Sequence, residues 1–358
     1  MIGRTTQSEY MYWAKTRAPV RYALGSSEVP HVSLDSYVAD IADLELDGAS
    51  RYRYTPLREA IAARCGVASE CVVMADGTSM ANMLAMAALI TPGDEVLIEH
   101  PAYEPLVATA QFLGAQVRRF TRAAPAFAVD PRIVEHAITS ATRLIVMTNL
   151  HNPTGSLADT TTLRAVGAIA ERVGARVLID EVYLDAAVPA QSTAALLGET
   201  FITTSSLTKV HGMSGLRCGW ILADAAFAEM IWRLNELFGV AQAHAAERLS
   251  CIALRHLDAI AADIPAHLER NRALANAFFV SRDDLDVAPM TNGITAFPKL
   301  LKGDVDALDA TLRERYDTSI VPGRFFGLAD HFRIGVGGPT DIVEAGLARL
   351  GSALDTMR

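Results

Sequence analysis

Residues 143–185 read RLIVMTNLHNPTGSLADTTTLRAVGAIAERVGARVLIDEVYLD. Two apolar runs, Leu144–Thr148 and Arg176–Ile179, bracket an Ala- and Leu-rich, helix-patterned stretch, Thr161–Val173. A continuously apolar run suits a strand covered on both faces. Strand, helix and strand in that order make a βαβ unit, and βαβ units imply a mostly parallel sheet. Working outward, the same alternation recurs. Candidate strands are Val72–Ala75, Glu95–Ile98, Gln116–Phe120, Phe201–Thr204 and Cys218–Leu222, with a further helical pattern over Ser79–Ile90. TPGDE at residues 91–95 is a turn, with Pro and Gly in stopping positions.

Beyond residue 225 the pattern changes. A long helical stretch is expected from about Ala225 to Arg272, interrupted near Pro265. Short strand candidates follow near Val287, Thr295–Phe297, Ser319–Val321 and Phe332–Val336, and an amphipathic helix, Thr340–Met357, closes the chain. The first 45 residues read as irregular and aromatic, with Tyr10, Tyr12, Trp13 and Tyr22. The expected organisation is an arm over 1–45 joining a small α+β domain over 241–358, and a large α/β domain over 46–240.

The chain has 358 residues, 51% hydrophobic and 20% charged, which is ample for a large core and excludes a disordered chain. Mean hydropathy is +0.21, yet no run of about 18 uncharged apolar residues suggests a membrane span. The formal net charge of −9, without a Lys/Arg cluster, argues against a nucleic-acid partner. Cys65, Cys71, Cys218 and Cys251 form no CxxC pair, so neither a metal site nor a disulfide framework is expected. The N-terminal residues MIGRTTQSEYMYWAK carry no apolar signal region, and the expected compartment is the cytoplasm.

Four segments carry chemistry. In TSSLTKVHGMSGLRCGW, residues 204–220, Lys209 sits in an apolar neighbourhood, with Ser206 three positions before it and Arg217 eight after. A lysine screened from water has a lowered pKa and attacks an aldehyde as the neutral amine. A hydroxyl and a guanidinium nearby suit a phosphate. In NLHNPTG, residues 149–155, Asn152 follows an apolar strand, and ligands in open α/β sheets bind at the carboxyl ends of strands. In IDEVYLD, residues 179–185, Asp180 ends the next strand, 28 positions after Asn152 and 29 before Lys209. Intervals of about one strand–helix unit put all three at one sheet edge. In ADGTSMAN, residues 75–82, Gly77, Thr78 and Ser79 open a helix, where an anion or a plain cap is equally served. Tyr103 lies at a further strand end and could stack on a flat ligand.

Together these segments resemble the signature set of fold-type-I pyridoxal-phosphate enzymes, specifically the class I/II aminotransferases. The resemblance runs from Arg51 to Val336. SRYRYTPLREAIAAR, VPGRFFG and FRIGV match further family segments. It implies an aspartate-aminotransferase-like fold, pyridoxal 5'-phosphate as cofactor, and a homodimer that moves an amino group from an α-amino acid to a 2-oxo acid. Lys209 matches the lysine that bonds the cofactor aldehyde as an aldimine, and Asp180 the carboxylate paired with the pyridine nitrogen. Tyr183 and Asn152 match the partners of the ring hydroxyl. Arg217 and Ser206 match phosphate ligands, with Gly77, Thr78 and Ser79 as the phosphate loop. Tyr103 matches the stacking aromatic, and Arg333 the arginine for the substrate carboxylate. Tyr52, with Tyr54 the alternative, matches the tyrosine that reaches a neighbouring subunit's phosphate.

The same cofactor residues also serve lyases, decarboxylases, cyclases and oxidases, because fold and cofactor do not fix the reaction. Arg324 stands where the family has a small residue, and a surface ion pair is the expected role. His151 and His211 are expected to be hydrogen-bonded rather than catalytic. GVGG at residues 335–338 lies in the wrong context for a dinucleotide loop.

Overall fold

The structure, a computed structural model, describes residues 5–38, 40–46 and 48–357. All seven expected strands form one sheet: β1 Val72–Asp76, β2 Glu95–His100, β3 Gln116–Thr121, β4 Thr142–Thr148, β5 Arg176–Asp180, β6 Phe201–Ser206 and β7 Cys218–Leu222. Their order is β1-β7-β6-β5-β4-β2-β3. Pairing is parallel from β6 across to β3, and β7 runs antiparallel to both β1 and β6. Six strands therefore end at one edge, and the start of β7 returns to it.

Burial on both faces explains the unbroken apolar runs. Leu144, Val146 and Leu178 pack into one core cluster, while Ile145, Met147, Val177 and Ile179 pack into another on the opposite face. Each such side chain contributes about 1.5–3 kcal/mol by leaving water. Helices Gly77–Ala87 and Thr160–Glu171 supply the cover, close to the expected bounds. A further cluster joins Leu308, Leu312, Ile320, Phe332, Ile334, Leu347 and Leu350 in the C-terminal part. Among the described residues no helix is long and apolar enough to cross a membrane.

Two expectations differ from what is seen. The stretch over 225–272 is not one interrupted helix. It divides into Ala225–Asn235, His244–Arg255, Leu257–Ile260 and Ile264–Val280. Gly239, and Val240 at φ +55°, break the first join, and Pro265 is the second residue of the last helix, where first-turn amides have no intrahelical partner to lose. Cys251, Ala253 and Leu257 pack with the large sheet's cluster. The N-terminal segment is also less irregular than its sequence suggests. Glu9–Thr16 is a helix whose first turn is capped by Ser8, which accepts from the Met11 amide at 3.1 Å.

Residues 22–29 tie the N-terminal segment to the C-terminal part. Tyr22 and Ala23 pair in parallel with Thr318 and Ser319, and Leu24 is buried in the C-terminal cluster. Gly335 makes this approach possible, because a Cβ there would stand 1.6 Å from the Ser26 carbonyl oxygen. Gly335 and Gly337 of GVGG thus serve chain packing against residues 26 and 28, and residues 25–28 are laid over the carboxyl edge of the sheet.

Candidate active site

A cavity of about 600 Å³ lies at that edge. Its wall includes Thr78, Ser79, Tyr103, Asn152, Asp180, Tyr183, Ser206, Lys209 and Arg217. Residues spread over more than a hundred positions meet because each follows the carboxyl end of a strand or, for Arg217, precedes β7.

Asp180 ends β5 and is 4% exposed. Burial raises its pKa to about 6, and two donors oppose the rise. Asn82 donates through Nδ2 to Oδ2 at 2.8 Å, and the Val182 amide donates to Oδ1 at 3.1 Å. Asn82 is held in turn by the Thr204 hydroxyl, which donates to its Oδ1 at 2.6 Å. The sequence reading assigned Asn82 no role. Its signal was available: four positions after Thr78 on one helix, it must share that residue's face.

Lys209 follows β6. Burial in the cavity wall lowers its pKa, and the Glu28 carboxylate, 3.9 Å from Nζ, pulls the other way. Glu28 belongs to the segment over the sheet edge and also escaped the sequence reading.

The phosphate-type groups cluster on the other side. Thr78 donates through its hydroxyl to Ser206 Oγ at 2.8 Å. Arg217 adopts φ +53° and donates to the Asp76 carbonyl at 3.0 Å. Its own carbonyl accepts from the Gly77 amide at 2.7 Å. Gly77 has φ +75°, and a Cβ there would lie 2.4 Å from the Arg217 guanidinium. The left-handed backbone favours glycine there, and a side chain would displace the Arg217 guanidinium from its place beside the loop. Exposed Ser79 borders the same space.

Arg333, on the strand Phe332–Gly335, is 1% exposed. It donates to Asn152 Oδ1, to the Tyr10 hydroxyl and to the Gly25 carbonyl, each at 3.1 Å. Its Nε has no partner among the described residues. Tyr183 is buried, which pushes its hydroxyl up to about 12. Tyr103 packs edge-on against Tyr10, with ring centroids 5.7 Å apart.

Tyr52 stands apart from the cavity. It is 46% exposed, and its hydroxyl donates to Glu236 at 2.7 Å. Tyr54 is buried, and its hydroxyl accepts from Arg248 at 3.2 Å. Arg324 pairs with Asp306 at 2.9 Å on the surface. His151 and His211 are both buried, on Pro101 and Thr154 and on Asp185 respectively.

These residues suit a phosphorylated pyridine aldehyde. Among the described residues the buried Asp180 carboxylate forms no ion pair, and a protonated ring nitrogen would give it one. An amine with a lowered pKa awaits a carbonyl, and hydroxyls with Arg217 await a phosphate.

Comparison with known proteins agrees. Residues 23–350 match the family model described as aminotransferase class I and II. The chain is 32% identical to a capreomycidine synthase of Streptomyces vinaceus over 312 residues, covering 84% of this chain and 79% of that one. It is 28% identical to a histidinol-phosphate aminotransferase of Halorubrum lacusprofundi, covering 92% and 88%. A PLP-dependent aminotransferase structure from Streptococcus suis superposes with a TM-score of 0.91 over 99% of both chains at 21% identity. The chain belongs to the class I and II aminotransferase family and is a pyridoxal-phosphate-dependent transferase.

Proposed function

We propose that the cavity moves an amino group from an α-amino acid to a 2-oxo acid, with Lys209 as the reactive amine. The observation that carries this is the placement of Lys209 and Asp180 in one cavity wall with Asn152, itself bonded to buried Arg333. When bound, pyridoxal phosphate supplies an electron sink for the pair left at Cα. Arg217, Ser206, Thr78, Ser79 and the Gly77 backbone would hold its phosphate. Asp180 would keep its ring nitrogen protonated, Asn152 and Tyr183 would bond its ring hydroxyl, and Tyr103 would cover its face. Arg333 would bind the substrate carboxylate and so fix which Cα bond faces the ring. Lys209 Nζ would take the Cα proton as general base.

The chain is read as an arm over 1–45, a large domain over 46–240 and a small domain over 241–358. The separate core clusters support that division, and the packing of Cys251, Ala253 and Leu257 favours a second boundary after residue 257. A homodimer in the cytoplasm is the assembly and compartment we infer, with exposed Tyr52 rather than buried Tyr54 as the tyrosine that would reach the neighbouring subunit.

The test is spectroscopic. Purified protein with pyridoxal phosphate should absorb in the visible, Lys209→Ala should abolish that band, and an amino donor should convert the cofactor to its amine form. Protein that ignores added cofactor would refute the reading. A second reading, lyase, decarboxylase, cyclase or oxidase chemistry at the same site, is favoured by one observation, the 32% identity to a protein named capreomycidine synthase. With the same amino donor, product formed without the amine form would select it.

A further inference from the structure

Behind the cavity lies a buried charge pair that the proposed reaction does not use. Glu99, in β2, is 0% exposed, and Arg122, just past β3, is 1% exposed. Arg122 donates through Nη1 to Glu99 Oε2 at 2.8 Å and through Nε to the Phe127 carbonyl at 2.6 Å. Oε1 accepts both the Thr148 amide at 2.7 Å and the Thr148 hydroxyl at 2.8 Å. Thr148 ends β4 and lines the cavity, whereas Glu99 does not. The Thr148 oxygen also accepts from the Asn152 amide at 2.9 Å, and Asn152 Oδ1 accepts from Arg333. His151 Nε2 is 3.7 Å from Glu99 Oε2, but its ring nitrogens are held by the Pro101 carbonyl and the Thr154 hydroxyl.

The direction of these bonds is forced. An ionised carboxylate only accepts, so the Thr148 hydroxyl must give its proton to Glu99 and turn a lone pair to the Asn152 amide. A buried ion pair is a weak source of stability, because apolar residues avoid its desolvation. Its use here is placement. Arg122 fixes Glu99, Glu99 fixes the Thr148 rotor, and Thr148 pins the turn that carries the Asn152 side chain.

We propose that Glu99 is a positioning residue for the substrate-carboxylate site, acting through the Thr148 hydroxyl on the Asn152–Arg333 pair. The proposal rests on the reading of Arg333 as the carboxylate ligand. It is separable from that reading, because amide exchange over residues 149–155 follows the loss of the Thr148 hydroxyl whatever Arg333 binds.

Thr148→Val and Thr148→Ala remove the hydroxyl with and without a replacement for its bulk, and Thr148→Ser keeps it. On the cofactor-loaded protein, Val and Ala are expected to raise KM for the amino donor about tenfold, with kcat changed less than about threefold. Ser is expected to stay within about threefold of the parent. Amide hydrogen exchange should quicken over residues 149–155 in the Val and Ala variants and not elsewhere in the sheet. Glu99→Gln should raise KM alike and add nothing in the Thr148→Val background, as coupled sites require. If it does not accumulate, the Thr148 series decides alone. An unchanged KM in Val and Ala, equal damage in Ser, or quickened exchange spread over the whole sheet would overturn the proposal.

Discussion

Glu181 follows Asp180 directly, yet the strand turns it away from the cavity, under Thr193 and Ala194. Burial raises its pKa to about 7, against the Ala194 amide at 2.8 Å and the Thr193 hydroxyl at 2.6 Å. The ordinary value is 4.5. Between about 4.5 and 7 the folded chain therefore holds a proton that the unfolded chain has released. The stabilising contribution is complete below the lower value and is lost as pH rises through the upper one. Glu181→Gln should remove this dependence. Urea unfolding of both proteins at several pH values should show the variant gaining on the parent by roughly 3 kcal/mol across the window. A constant difference would mean that burial does not hold the proton. Asp180 titrates in the same direction, to about 6, and a cation placed against it would bring it down again.

At the scale of elements, the helix Glu9–Thr16 shows how a segment without a strong apolar face becomes ordered. Only Tyr10 is buried. Its ring meets Phe325 at 5.6 Å and Phe326 at 5.8 Å, and its hydroxyl accepts from Arg333. Contacts more than 300 positions away cannot be seen in the periodicity of eight residues, which is why the sequence reads as irregular there. Tyr10→Phe keeps the ring packing and removes the hydroxyl. Steady-state kinetics should show KM for the amino donor raised about three- to tenfold at unchanged kcat, with the thermal midpoint little altered. An unaltered KM would detach this helix from the carboxylate site. The sheet strands, by contrast, were legible to within two residues: central ones such as Thr142–Thr148 and Arg176–Asp180 are buried on both faces and write a nearly continuous apolar run, while the mostly exposed edge strand Gln116–Thr121 shows only as a short run between turns.

At the scale of the whole molecule, the described surface carries apolar side chains that the single chain leaves uncovered. Leu237 is 80% exposed, Val240 51%, Phe238 50%, Leu46 61% and Ile41 68%. Hydrogen bonds hold these segments near one another: Tyr52 with Glu236, and His244 with Glu45 at 2.8 Å. Exposed apolar side chains grouped in this way fit the homodimer proposed above, with a second copy of the chain as their cover. Sedimentation should give twice the chain mass of 38.4 kDa for the parent and the single mass for Leu237→Asp/Val240→Asp. The monomer should also hold pyridoxal phosphate more weakly if Tyr52 serves the neighbouring phosphate. A variant that stays at the double mass would place the interface elsewhere.

Local apolar runs and intervals of one strand–helix unit were enough to read the sheet and the shared edge from sequence, and the motifs NLHNPTG, IDEVY and SLTKVHGMSGLRCGW carried the resemblance to the family and with it most of the groups gathered at the cavity. It did not determine what holds those groups still. Asn82 under Asp180, Glu28 beside Lys209, Tyr10 on Arg333 and Glu99 behind Thr148 are partners brought from distant parts of the chain. Hydrogen bonds and ion pairs of that kind depend on how strands, helices and the N-terminal segment pack in three dimensions, which no local stretch of sequence records.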